Sequence, residues 1–301
     1  MEFKDFQERV TEGLQQIYGE NAEVHTNEVL KNNGKKYNVI CIILKDSKCR
    51  TVPIIEMDRL YEAYKNGVMN MGECIWSIYK YREILRNPDE VERFAEGAFE
   101  WEMVKDNVYP ILLSTEENQE MLESLVSMPM LDMSVAYIIR GRLLKSRSGG
   151  MKINKEMFKY YGMSVEELHR QAMINLEKDG YKFRDLKCVV MEMLHMEVSE
   201  YEQAGEQNKP KMYILTNSAM AYGAAGILNR KLIREFAGGR DFIILPSSVH
   251  EMLFVPANEK MDQKFFDEMV SVNMEEIDRE NRLTDHSYYY DGGADEIRIC
   301  A

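Results

Sequence analysis

Two hydroxyls, an imidazole and a carboxylate fall together at Ser247, Ser248, His250 and Glu251. These residue types could supply a nucleophile, the base that takes its proton and the acid that orients the base. They sit in DFIILPSSVHEMLFVP (Asp241 to Pro256), between the apolar runs Phe242–Leu245 and Met252–Val255. Short apolar runs bounded by turn formers read as buried neighbouring strands. No G-x-S-x-G elbow surrounds the serines, and no glycine lets a backbone oxyanion hole approach. The simpler reading is a tight turn. In it the serine hydroxyls accept from nearby N–H groups and His250 bonds a main-chain carbonyl.

A second candidate lies upstream at Thr216, Asn217, Ser218, Tyr222 and Gly223, between a strand and a helix. Free N–H groups at a helix start can hold an anion. Its AYGAAG stretch is neither a dinucleotide fingerprint nor a Walker loop, and Asn217 and Ser218 also read as a turn and a cap. If a small-molecule pocket exists, this loop is where it is expected. Asp285, His286 and Asp291 flank three tyrosines, which a strand with alternating faces explains as well as a relay does. Glu192 and His195 share a helical face but supply only two ligands, with Cys188 and Glu197 out of pattern. Met128, Met130 and Met133 around Pro129 suit a partner groove or plain core packing. No metal site and no cofactor is expected.

The elements that must position these residues follow from periodicity. Phe3, Phe6, Val10, Leu14 and Ile17 mark a helix closed by Gly19. Val24–Leu30 and Lys35–Leu44 read as strands joined at Asn33-Gly34, whose turn needs positive φ at both residues. Thr51–Ile55 follows as a short edge strand carrying Pro53. Two helices come next, the second ending before Asn87-Pro88, which looks like the cap of another. The middle reads as strand Val108–Leu113, helix Glu117–Leu125 and strand Asp132–Ile139. KSRSGG (Lys145–Gly150) is expected as a flexible break. Ser164 and Glu167 form a capping box, Asp185–Glu197 reads as a helix, and Ser199–Lys211 as a loop. The last unit expected is Met212–Thr216 strand, Gly223–Phe236 helix interrupted near Asn229, the paired strands, a helix from Asp262 to Arg279, and strands His286–Tyr290 and Glu296–Ile299.

At 301 residues, with 45% hydrophobic and 10% aromatic content, the chain has ample material for packed cores. We expect an α+β fold of mixed, largely antiparallel sheets packed with helices, in two or three abutting subdomains. The divisions expected are 1–90 (α-β-β-β-α-α), 91–200 (mixed) and 201–301 (β-α-β-β-α-β-β). The formal charge of −13 argues against direct nucleic-acid binding, which needs cationic surface. The five cysteines form no C-x-x-C, favouring reduced thiols in a cytoplasm. No apolar run approaches a membrane span. From Glu259 onward, twelve acidic residues face five basic ones.

DFIILPSSVHEMLFVP, with MYILTNSAMAYGAAGIL ahead of it, resembles a bacterial family, domain of unknown function 5688. Its members pair an ILPSS-[IV]-HE segment with an upstream YxLTN…GA segment. KINKEMFKYYGMSVEELHRQAMINL, VYPILLSTEENQEML and LDMSVAYIIRG extend the likeness over nearly the whole chain. The resemblance implies a fold unit and a cytoplasmic setting, with no reaction type. It marks Ser247, Ser248, His250 and Glu251 as motif positions. The expectation is a non-enzymatic binding or accessory protein, using its acidic C-terminal face to contact a protein partner, one of basic character. The alternatives are a hydrolase-like enzyme using Ser247 or Ser248 with His250, and an acidic nucleic-acid mimic.

Overall fold

A computed structural model describes residues 1–45, 54–84, 97–144, 147–195, 211–257 and 263–300. Three antiparallel sheets, each packed with helices, make an α+β fold among these residues.

The amino-terminal sheet comprises β1 (Ala22–Leu30), β2 (Lys36–Leu44) and β3 (Ile54–Glu56), with β2 in the centre as its apolar run requires. Helices α1 (Phe3–Tyr18), α2 (Asp58–Lys65) and α3 (Met71–Ile84) accompany it. Phe6, Val10 and Leu14 recur at helical spacing on α1 and meet Ile40, Ile42, Cys74 and Ile78 in one buried cluster. Burying a side chain of this size contributes about 1.5–3 kcal/mol. The β1–β2 turn takes positive φ at Asn33 and Gly34, 58° and 66°, as the Asn-Gly pair demands. The expected edge residue Pro53 and the Asn87-Pro88 cap lie outside the described residues.

The central sheet is built on the long strand β6 (Met133–Leu144), preceded by helix α4 (Trp101–Val104), β4 (Val108–Ser114), helix α5 (Gln119–Ser124) and β5 (Ser127–Met130). β4 lies along one edge of β6; β5 and then β7 (Arg147–Lys152) share the other. Met128, Met130 and Met133 are therefore strand residues, two of them on β5. The expected break at Lys145–Gly150 is corrected: Arg147–Gly150 belongs to β7 and pairs with β6. Gly150 lies opposite Arg140 where a Cβ would strike the Ile138 side chain, so glycine serves close strand approach. Helices α6 (Lys155–Lys159) and α7 (Val165–Lys178) follow. The Ser164–Glu167 capping box forms with both reciprocal bonds, at 3.2 and 2.8 Å.

The carboxy-terminal sheet has six strands in the order β13-β12-β10-β11-β9-β8. In chain order they are β8 (Lys182–Asp185), β9 (Tyr213–Thr216), β10 (Phe242–Ser248), β11 (Glu251–Pro256), β12 (Tyr288–Asp291) and β13 (Glu296–Ile299). The two apolar runs do lie side by side, from Phe242 opposite Pro256 to Ser248 opposite Glu251. Helices α8 (Leu186–Leu194), α9 (Arg230–Ala237) and α10 (Gln263–Glu276) complete the order. The expected interruption at Asn229 is present: a 3-10 turn over Gly223–Leu228 ends there, and the Asn229 side chain caps α9. The expected loop at 199–210 lies outside the described residues. No helix among the described residues is long and apolar enough to cross a membrane.

Buried asparagines join the units. Asn33 donates from its side chain to the carbonyls of Arg279 and Arg282, at 2.5 and 2.8 Å. Its backbone N–H donates to Asn118 Oδ1 at 2.7 Å, and Asn118 Nδ2 returns a bond to Asn33 Oδ1 at 2.6 Å. Asn32 donates to the Glu280 carbonyl at 3.1 Å. Substituting Asn118→Ala strands two polar groups of Asn33, which is 1% exposed. The expected cost is about 2–3 kcal/mol in urea unfolding, whereas exposed Asn27→Ala stays within about 0.5 kcal/mol.

Candidate functional site

β10 and β11 turn over at Val249 and His250, with a register shift between Pro246 and Ser248. The bulge turns Ser248 inward, 9% exposed, where its hydroxyl accepts the His250 N–H at 3.1 Å. Ser247 is outside that turn and donates its hydroxyl to Glu251 Oε1 at 3.0 Å. Its carbonyl accepts from Asn273 of α10 at 2.8 Å.

The His250 ring bridges two other segments. Nδ1 accepts the backbone N–H of Tyr222 at 3.1 Å, and Nε2 lies 3.2 Å from Asn281 Oδ1. A backbone N–H can only donate, so the ring proton is assigned to Nε2, which donates to Asn281. The Val249 N–H donates to the Asn281 carbonyl at 2.8 Å. The expected bond from the imidazole to a main-chain carbonyl is replaced by this pair. Among the described residues no hydroxyl reaches either ring nitrogen. Neither serine is thus placed for its proton to pass to His250.

The two sequence candidates meet. Thr216 Oγ1 donates to the His250 carbonyl at 3.0 Å. Gly223 is pressed against that carbonyl and Thr216, where a Cβ would strike both. Asn217, 2% exposed, donates from Nδ2 to Asp179 Oδ2 and the Ala221 carbonyl, both at 3.0 Å, and accepts the Ala221 N–H. Ser218 is exposed and reaches only the Gly180 carbonyl, at 3.5 Å. Tyr222 takes φ 53°, ψ 29°, an unfavourable left-handed conformation for a bulky residue. The loop's polar groups are thus turned largely toward the chain itself. A half-buried network adjoins it, with Arg140 Nη1 at 2.6 Å from Asp179 Oδ2 and its guanidinium 4.0 Å from the Tyr109 ring. Burial pushes the neighbouring Tyr181 phenol up to about 12.

The remaining candidates separate. His286 lies between Asp285 and Asp132, at 3.2 and 3.1 Å, whereas Asp291 turns away to the N–H groups of Gly293 and Ala294. Tyr288 and Tyr290 are buried and Tyr289 half-buried, the alternation expected of a strand. Glu192 is held by Arg184 at 2.6 Å, and His195 ends α8 with φ 52°. Glu197 is outside the described residues. Among those residues no three His, Cys, Asp or Glu side chains group as a metal site would require. Sequence reasoning missed Asn281 and Asn273, the distant partners of the corner, since neither stands in a motif.

The fold and corner define an α+β protein in which a histidine strut holds a strand turn against two loops. The chain matches a Family of unknown function (DUF5688) over residues 3–292, and the protein belongs to that family. No curated protein and no solved structure matches it.

Replacing His250 with Ala leaves the Tyr222 N–H and the Asn281 side chain without their partner. We expect a loss of about 2–3 kcal/mol in urea unfolding. Ser247→Ala removes one half-exposed hydroxyl bond and should cost less than about 1 kcal/mol.

Proposed function

We infer that this is a non-enzymatic binding or accessory protein of the cytoplasm, working through contact of its acidic C-terminal face with a basic protein partner. The supporting observation is a cleft of about 440 Å³ between the end of the central sheet and the segment around α10. Glu116, Glu117 and Asp132 line one side, and Glu275 and Asp285 the other. The cations in the wall are already engaged. Arg279 pairs with Glu117 at 3.1 Å, and Arg282 donates to the carbonyls of Glu275 and Ile277 at 3.2 and 3.3 Å. Asp285 remains 82% exposed. An excess of carboxylates in a concave wall focuses negative potential, which attracts and orients a lysine or arginine side chain.

The hydrolase alternative has no comparable geometric support. It needs a hydroxyl beside the imidazole, and the hydroxyls of Ser247 and Ser248 go to Glu251 and the His250 N–H. The nucleic-acid mimic shares the acidic face and differs only in the kind of basic partner.

A fluorescent arginine-rich peptide tests the reading by anisotropy. Binding should weaken steeply between low and moderate salt, and about five- to tenfold on combining Glu117→Gln, Glu275→Gln and Asp285→Asn. Affinity unchanged by those neutralisations would sink the assignment of this cleft. Capture of a DNA-binding protein in competition with DNA would favour the mimic.

A further inference from the structure

His286 stands in the wall of the acidic cleft, together with Asp132 and Asp285. Its ring lies between carboxylates from two different segments. Nδ1 is 3.2 Å from Asp285 Oδ1, next to it in sequence, and Nε2 is 3.1 Å from Asp132 Oδ2 in the turn joining β5 to β6. The first contact is a hydrogen bond. The second lacks the alignment of one, and Nε2 is buried with no hydrogen-bond partner among the described residues.

A neutral imidazole carries one N–H and one lone pair. Whichever nitrogen holds the proton, the other turns its lone pair toward a carboxylate oxygen. Tyr288 of β12 offers no relief. Its ring lies 5.2 Å from the His286 ring, its hydroxyl already donates to Asp132 Oδ1 at 2.7 Å, and burial pushes the phenol well above its ordinary value. Across the cleft Glu116, Glu117 and Glu275 add negative charge, while Arg279 and Arg282 are engaged by Glu117 and by main-chain carbonyls. The surroundings of the ring are therefore short of one positive charge. A proton on His286 supplies it, and so does a cation entering the cleft.

We propose that His286 gates the cleft by pH: its protonation releases a basic partner and its deprotonation admits one. The gate rests on the acidic-cleft reading and adds the regulation of that site. The imidazolium donates to Asp285, lies against Asp132 and cancels part of the field that draws a lysine or arginine side chain. Proton and partner compete for the same two carboxylates, so each weakens the binding of the other by the same factor. The sign follows from that competition. The partner is held most tightly above the histidine range, and its affinity falls as pH drops through that range.

The test titrates the fluorescent arginine-rich peptide into the intact protein by anisotropy, at about pH 8 and about pH 5.5 and one low ionic strength. Carboxylates ordinarily titrate near pH 4 and imidazoles near 6.5, so this window changes the latter. Arginine keeps its charge throughout, and the peptide adds no titration of its own. Wild-type affinity should be about five- to tenfold higher at the upper pH, the span that one histidine can impose. His286→Gln keeps a donor for Asp285 but cannot take up a proton, and should bind with nearly equal affinity at both. His250 is intact in that variant, so the lost dependence belongs to His286. Calorimetry near pH 6.5, in two buffers of different ionisation enthalpy, should show the wild type releasing a fraction of a proton on binding and the variant none. Asp285→Asn, at a carboxylate 82% exposed, should weaken binding at the upper pH and narrow the difference, which keeps the test open if His286→Gln fails to fold. Equal wild-type affinity at both pH values would overturn the gate and leave the cleft standing. A pH dependence that survives in His286→Gln would overturn the assignment to this ring. Absence of binding at either pH would remove the cleft, and the gate with it.

Discussion

The structure depends on one constraint: polar groups buried between sheets must find partners on other sheets. The segment Arg279–Arg282 is where this requirement concentrates. Its carbonyls at 279, 280 and 282 accept from Asn33 and Asn32, and Asn281 receives both the His250 ring and the Val249 N–H. Asn33 is bound at the same time to Asn118 of the central unit. One short turn thus ties the β1–β2 hairpin, the end of β4 and the β10–β11 corner. A typical hydrogen bond contributes only about 0.5–1.5 kcal/mol net, but stranding a buried partner costs about 1–3 kcal/mol. The arrangement therefore specifies how the sheets sit together more than it adds stability, because any displaced packing leaves several groups unpaired.

Within this frame the Ser-Ser-Val-His-Glu corner is an anchor. Catalysis needs a hydroxyl whose proton can pass to an imidazole, and here the imidazole is occupied at both ends by groups from other segments. The carboxylate is likewise bonded to Ser247 rather than to the ring. The same residue types that suggest a relay serve equally well as a set of short polar links. Their spacing cannot distinguish the two, because the deciding partners, Tyr222 and Asn281, lie 28 and 31 residues away.

Much of the fold was legible because local chemistry and tertiary packing agree. The α1 periodicity, the Asn-Gly turn, the Ser164 box and the paired apolar runs are each a local preference that the core then uses. Where the two part, the reading fails. KSRSGG looks like a linker by composition, yet Gly150 lets β7 lie against Ile138. Lys182–Asp185 shows no apolar alternation, and pairs as an edge strand because β9 offers it a free side. For the site, both candidate stretches were legible as polar clusters, while the bond from Thr216 to the His250 carbonyl is set by tertiary packing.

The left-handed conformation of Tyr222 bears most directly on what that neighbourhood does. A glycine would adopt φ 53° without strain, whereas a bulky side chain there costs on the order of 1 kcal/mol or more. Two bonds would be kept by glycine as well, since His250 takes only the backbone N–H and Ala225 donates only to the Tyr222 carbonyl. What the tyrosine adds is the ring itself, packed against the cluster around Ile138 and lying beside the His250 ring. The ring's packing against both the central cluster and His250 offsets the backbone strain, so this one residue joins the corner to the central sheet.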